Sequence, residues 1–317
     1  GEEIHRRLDE IEQIHAIYSP ARLGLAAAIA CCAFTFLLGG GPIEMILAFV
    51  AAGIGNLIRT KLIKHHFTLF LNIAVSISAS CFIYAALLKI AEMAFNVPSI
   101  HEAGYICSML FIIPGFPFIT SGIDLAKLDL RSGLERLAYA IIIVMVATMF
   151  AWIMALLLQL QPMDFEDLNL TPVLHLILRL IMSFFGVFGF SIMFNSPAPM
   201  AATAALIGAI ANSLRLELVD LTGMPAPAAA FAGALTAGLL ASFIKENNGY
   251  PRISLTVPSI VIMVPGLYLY RAIYNFGIMA LSDAVSWFAS AIMIIIALPL
   301  GLIFARILTD KTFRYCT

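Results

Sequence analysis

Two Pro-Gly pairs, Pro114-Gly115 and Pro265-Gly266, each stand about halfway along an apolar stretch. Proline lacks a backbone donor and glycine lacks a side chain, so the pair interrupts a helix at its middle. Carbonyls upstream are then released, here around Ile113 and Val264, and are expected to suit an ammonium or a coupling cation. Downstream, a restarted helix presents N–H groups and partial positive charge, which suit a carboxylate. Phe116 and Pro117 open the first such half-helix, and Thr120, Ser121 and Asp124 follow within three turns. Gly266 opens the second, where Asn275 stands in the place of Asp124. A substrate site between the two breaks, near the bilayer midplane, is the expectation.

Asp124 has two readings. A carboxylate held deep in a membrane is costly and marks function, as a ligand for an ammonium or as the carrier of a coupling proton. At the end of a span, beside Lys127, it is a solvated charge. Arg136 is either an anchor at the membrane surface or the charge partner of Asp124. Asn56 and Asn212 lie at equivalent span ends and serve either helix packing or substrate binding. Ser76, Ser78 and Ser80 read as small packing residues. Tyr268, Tyr270 and Tyr274 read as an interfacial aromatic belt. The cysteines form no CxxC pattern and read as small buried hydrophobes. His65-His66 lacks Cys or Glu at ligand spacing, so no metal site is expected. No GxSxG, HExxH, paired intramembrane aspartates or Walker A loop is present. The sequence therefore offers no catalytic residues, no cofactor site and no direct use of ATP.

These residues need a membrane around them. Of 317 residues, 62% are hydrophobic and 12% are charged, against roughly a quarter charged in a typical soluble domain. A spanning helix needs about 20 apolar residues. Ten stretches qualify: 23–38, 42–57, 67–88, 103–119, 137–160, 174–194, 200–213, 226–243, 255–270 and 284–308. The fold expected is all-α and integral to the membrane, with about ten transmembrane helices. Residues 1–22 read as a cytoplasmic amphipathic lead-in helix, with a soluble region expected upstream. Residues 23–160 and 174–308 form the two five-span halves. Residues 161–173 are an external acidic linker and 309–317 a cytoplasmic tail.

Lysine and arginine set the orientation. With a cytoplasmic N-terminus, fourteen lie inside and three, Lys89, Arg215 and Arg271, lie outside, while Arg179 falls within a span. That bias fits the positive-inside rule, with both termini cytoplasmic. The net charge of -1 points to no nucleic-acid partner.

The halves share their punctuation. Pro42-x-x-Met45, Gly53, Asn56-x-x-Arg59 and Pro114-Gly115 are matched in order by Pro197-x-x-Met200, Gly208, Asn212-x-x-Arg215 and Pro265-Gly266. Five spans is an odd number, so the second half must enter the membrane upside down, giving two inverted five-helix repeats. The second and seventh spans read as short, each ending at its Asn-x-x-Arg. Short or broken spans at corresponding positions are where a transporter builds its site.

The run Pro114-Gly115-Phe116-Pro117, with Ser121-Gly122-Ile123-Asp124-Leu125, Ser132-Gly133 and Arg136-Leu137, resembles the signature of the threonine/serine exporter family. The lead-in Arg7-Leu8-Asp9-Glu10-Ile11 ending at Tyr18 is similar to that family's entry to its first span. Asn195-Ser196-Pro197 and Val264-Pro265-Gly266 resemble its smaller C-terminal module. The resemblance implies a secondary transporter in the cell (plasma or inner) membrane. It would export small amino acids, threonine or serine, driven by an ion gradient, here taken as protons. The alternatives are a dicarboxylate (succinate-like) exporter of the same fold, or a membrane enzyme or non-transporting scaffold. The partners expected are the substrate, the coupling ion, lipid and a second copy of the chain.

Overall fold

Inside lipid every backbone N–H and C=O must be bonded within the chain, so long apolar runs become helices. The computed structural model describes residues 2–12, 17–95 and 98–315, and no strand occurs among them. After the lead-in α1 (Glu2–Glu12) come α2 (Pro20–Leu37), α3 (Pro42–Lys64) and α4 (Leu69–Phe95). A 3-10 turn (Ser99–Gly104) and the one-turn α5 (Tyr105–Ser108) lead to the first break, followed by α6 (Gly115–Ala126) and α7 (Leu130–Leu158). The second half repeats the order as α8 (Pro172–Met193), α9 (Ala198–Thr222), α10 (Ala226–Asn248), α11 (Arg252–Ile260), α12 (Gly266–Gly277) and α13 (Leu281–Thr309), before a final turn α14 (Lys311–Arg314).

Eight of these helices are long and apolar enough to cross a membrane. Two further helix pairs are bent, by 54° at Pro114 and 43° at Pro265, and raise the number to ten if each pair is one span. The chain is a multi-pass all-α membrane protein. Two expectations need correcting. The second and seventh spans are not short: α3 runs 23 residues and α9 runs 25, both continuing past Arg59 and Arg215. Their polar residues sit on helix faces that are buried by neighbours, which a linear apolar count reads as span ends. Nor is the lead-in one helix to residue 22. Ser19 caps a new helix, its hydroxyl accepting from the Arg22 N–H, with Pro20 in the first turn. Residues 13–16 of that lead-in, Ile14 included, lie outside the described residues.

The centre is a pair of antiparallel helices, α2 and α8. Phe36 near the end of α2 meets His175 near the start of α8, while Tyr18 at the other end bonds the Ser196 carbonyl beyond α8. Small residues allow the approach: a methyl group on Gly189 would stand 2.6 Å from the Ala26 carbonyl oxygen. α3 flanks α2 as α9 flanks α8, and α7 packs on α4 as α13 packs on α10. Each half-helix leans on its own long neighbour and on that of the other half: α6 on α7 and α13, α12 on α13 and α7. This reciprocal packing is compatible with the inverted plan.

Backbone angles recur at matching positions. Pro114 has φ −81°, ψ 60° and Pro265 has φ −81°, ψ 56°. Leu128 and Met279 both adopt φ 63°, a left-handed conformation uncommon for such side chains. Each precedes a 29-residue helix, α7 or α13.

Candidate functional site

Each Pro-Gly break is an inverse γ-turn. The Gly115 N–H bonds the Ile113 carbonyl at 2.8 Å, and the Gly266 N–H bonds the Val264 carbonyl at 2.8 Å. Those proline angles are the ones such a turn requires. The carbonyls read from sequence as free are therefore engaged. At the first half-helix the Phe116 N–H has no backbone partner among the described residues, and Pro117 has no N–H to give. At the second, the N–H groups of both Leu267 and Tyr268 have none among the described residues.

The breaks face each other. A methyl group on Gly115 would stand 2.6 Å from Val261 Cγ2, and one on Gly266 would stand 3.0 Å from Leu110 Cδ2. Between them lies an apolar space of about 10 Å³, lined by Phe34, Ile113, Phe190 and Val264 among others. That is room for a water at most. In this conformation the space between the breaks is closed.

An open space lies above the second break. A cavity of about 440 Å³ reaches from the connection between the halves down to Val264, Pro265, Gly266, Leu267 and Tyr268. The size suits a small molecule. Arg215 projects into it from α9, and its Nε is buried with no hydrogen-bond partner. No ion pair to Arg215 occurs among the described residues. The other buried arginines are engaged. Arg179 bonds Glu217 at 2.7 Å and also Asp220. Arg271 pairs with Asp164 at 2.8 Å, bonds the Met163 carbonyl and lies 4.8 Å over the Trp287 ring. Asp164, Glu166 and Asp167 line the cavity mouth. The cavity thus sets an unpaired guanidinium beside a half-helix N-terminus at its base and carboxylates at its rim.

Two family descriptions match the chain. "Putative threonine/serine exporter" matches residues 1–159, and "Threonine/Serine exporter, ThrE" matches residues 179–308. The chain belongs to the threonine/serine exporter family. Among curated relatives, "Probable succinate transporter subunit YjjP" of Escherichia coli is 28% identical over 153 residues, 48% of this chain and 57% of that protein. The protein of the same name from Klebsiella aerogenes is 25% identical over 154 residues, 49% of this chain and 57% of its own length. The chain thus spans little more than half of the relatives it matches. No solved structure matches.

The remaining candidate residues of this exporter-family chain are spread on both sides of the breaks. Asp124 ends α6 on the side away from the connection and pairs with Arg136 of α7 at 2.8 Å. Thr120 bonds back to the Phe116 carbonyl, and Ser121 donates to the Gly133 carbonyl, tying α6 to α7. The Asn56 amide donates to the Leu23 carbonyl and that of Asn212 to the Ser183 hydroxyl, at 2.9 and 2.8 Å. Each asparagine therefore fastens its helix to the central pair. Asn275 donates to the Arg271 carbonyl on its own helix. Tyr270 departs from the aromatic belt read from sequence. It is fully buried, and its hydroxyl meets that of Tyr105, because α12 points inward from the break. Cys31, Cys81 and Cys107 are buried free thiols and Cys32 is half-buried, while Cys316 lies outside the described residues.

Sequence reasoning placed Arg215 among outward-facing charges and did not single out Glu44 or His101. The sequence signal for Arg215 was its place in the repeated Asn-x-x-Arg. That it lacks a partner emerges only from packing.

Proposed function

We propose that the chain is a secondary active exporter of small amino acids, threonine or serine, driven by the proton gradient across the cell membrane. The observation that supports this reading is that Arg215, with its Nε buried and without a partner, lines the same cavity as Leu267 and Tyr268 at the start of the second half-helix. A substrate carboxylate fits the base of that cavity, since a guanidinium and free N–H groups both donate to it. A substrate ammonium fits the rim of Asp164, Glu166 and Asp167. On this reading the connection lies outside the cell, both termini lie inside, and the two halves are inverted repeats that alternate access around the breaks. Asp124, with Arg136 and the polar residues Thr120 and Ser121, belongs to the inner side, where it carries the proton on.

A dicarboxylate is the second reading. Arg271 lines the same cavity and offers a second guanidinium if it is released from Asp164, and the curated relatives carry a succinate transporter name. The test is efflux from liposomes loaded with labelled threonine, serine or succinate, with and without an imposed proton gradient. Threonine or serine is expected to move uphill. In Arg215→Gln the apparent KM should rise at least about tenfold, roughly 1.4 kcal/mol of lost binding. Succinate alone moving uphill selects the second reading. Movement of none of them removes both.

A further inference from the structure

A second titratable site lies on the connection side of the molecule, far along the chain from Asp124. Glu44 stands in the first turn of α3 and is 4% exposed, the only buried carboxylate among the described residues. Its Oε1 lies 2.7 Å from Nδ1 of His101, and its Oε2 accepts the Gly41 N–H at 3.0 Å. His101 belongs to the 3-10 turn that leads into the first broken span, and its carbonyl accepts the buried Tyr84 hydroxyl at 2.7 Å. A helix cap accounts for one of these carboxylate oxygens. It does not account for the histidine on the other.

The surroundings are sparse in charge. Tyr84 reaches the pair from α4, and Cys107 from α5 lies within electrostatic reach of Glu44. Cys31 of α2 and Arg271 of α12 lie within electrostatic reach of Cys107. Glu102, next in the chain, turns away to accept the Gln161 N–H of the connection. The imidazole is the more open member, with a side chain 13% exposed against 5% for Glu44. Water therefore meets the ring first and the carboxylate lies behind it.

We infer that Glu44 and His101 form a proton-binding site that loads from the connection face and reports its charge to the first broken span. The pair as a carboxylate and a neutral imidazole carries one negative charge. One proton from water, taken on the free ring nitrogen, makes it an ion pair with no net charge. A lone buried charge is costly and a paired one much less so. Histidine is the side chain whose ordinary titration falls in the physiological range. The charge change occurs three residues before Gly104, whose Cα lies so close to Tyr84 that a methyl group there would collide with the Tyr84 hydroxyl. A shift of the turn is thus passed on to Tyr105 and the break beyond it.

The inference rests on the proton-driven exporter reading, and the experiment separates the two. Wild type, Glu44→Gln and His101→Gln are reconstituted in liposomes with labelled threonine, and with succinate in a separate arm. Driven efflux and exchange at equal pH are measured between about pH 5 and 8. In both variants driven efflux should fall at least about tenfold, while exchange stays within about twofold and loses its pH dependence. Variants that pump like wild type overturn the inference. If wild type itself moves neither probe against a gradient, the exporter reading fails instead. The pair is then judged by infrared difference spectra of pH jumps without substrate. Imidazole and carboxyl bands present in wild type and absent in both variants support it, and their absence from wild type overturns it. The same spectra of wild type and His101→Gln decide the matter if Glu44→Gln does not fold.

Discussion

The hydroxyls of Tyr105 and Tyr270 share a hydrogen bond of 2.5 Å across 165 residues of sequence, with their rings edge to face at 5.8 Å. Both side chains are fully buried. The bond joins α5, before the first break, to α12, after the second. Either Tyr→Phe change leaves the other hydroxyl buried without a partner, at a cost of about 1–3 kcal/mol. The double Phe variant removes both and should cost less than the sum. Denaturation of the four proteins in detergent checks this. Additive losses would mean that the bond does not hold the two spans together.

Gly115 and Gly266 give a second prediction. Alanine at Gly115 brings a methyl group against Val261, a tighter fit than alanine at Gly266 makes against Leu110. Valine at either site adds a stiff branched side chain. Transport should fall at least about tenfold for both valine variants, about 1.4 kcal/mol, and further for Gly115. Efflux rates beside monodispersity in detergent make the comparison. Folded variants with wild-type rates would show that the breaks do not move.

The Asp124–Arg136 pair gives a third. Asp124→Asn should abolish uphill export and leave substrate exchange. An exchange of the two residues, Asp124→Arg with Arg136→Asp, should keep the bond between α6 and α7 but not pumping. Full pumping in either variant would reduce the pair to a bond between α6 and α7.

Topology gives a fourth. A single cysteine at Asn169, in the connection between the halves, should react with a membrane-impermeant maleimide added outside the cell. One at Lys127 should react only after permeabilisation. The opposite pattern would reverse the orientation and, with it, the face from which Arg215 is reached.

Much of this architecture is local in the chain. Long apolar runs, the breakers Gly39-Gly40-Gly41 and Asn195-Ser196-Pro197, and the two Pro-Gly pairs each act on their own neighbours, so eight long spans and two broken ones were legible. The lengths of α3 and α9 were not. Asn56, Arg59, Asn212 and Arg215 look like the end of a span until the helices that cover them are known. Glu44 with His101, and Tyr105 with Tyr270, are 57 and 165 residues apart. Nothing in either residue's own surroundings names its partner. The candidate site divided in the same way. Its breaks were evident as Pro-Gly, but the γ-turns that occupy the Ile113 and Val264 carbonyls are a matter of angles, not of residue type.

The 29-residue helices α7 and α13 have a consequence for the lipid itself. At 1.5 Å per residue each is about 43 Å long, against a hydrocarbon layer of about 30 Å. They can be accommodated by slanting or by carrying their ends beyond the acyl chains, and each half-helix leans on both of them. A thinner bilayer would increase the slant and a thicker one would reduce it, at fractions of a kcal/mol per Å. The half-helices would be carried along, so acyl-chain length becomes a control on how wide the cavity stands.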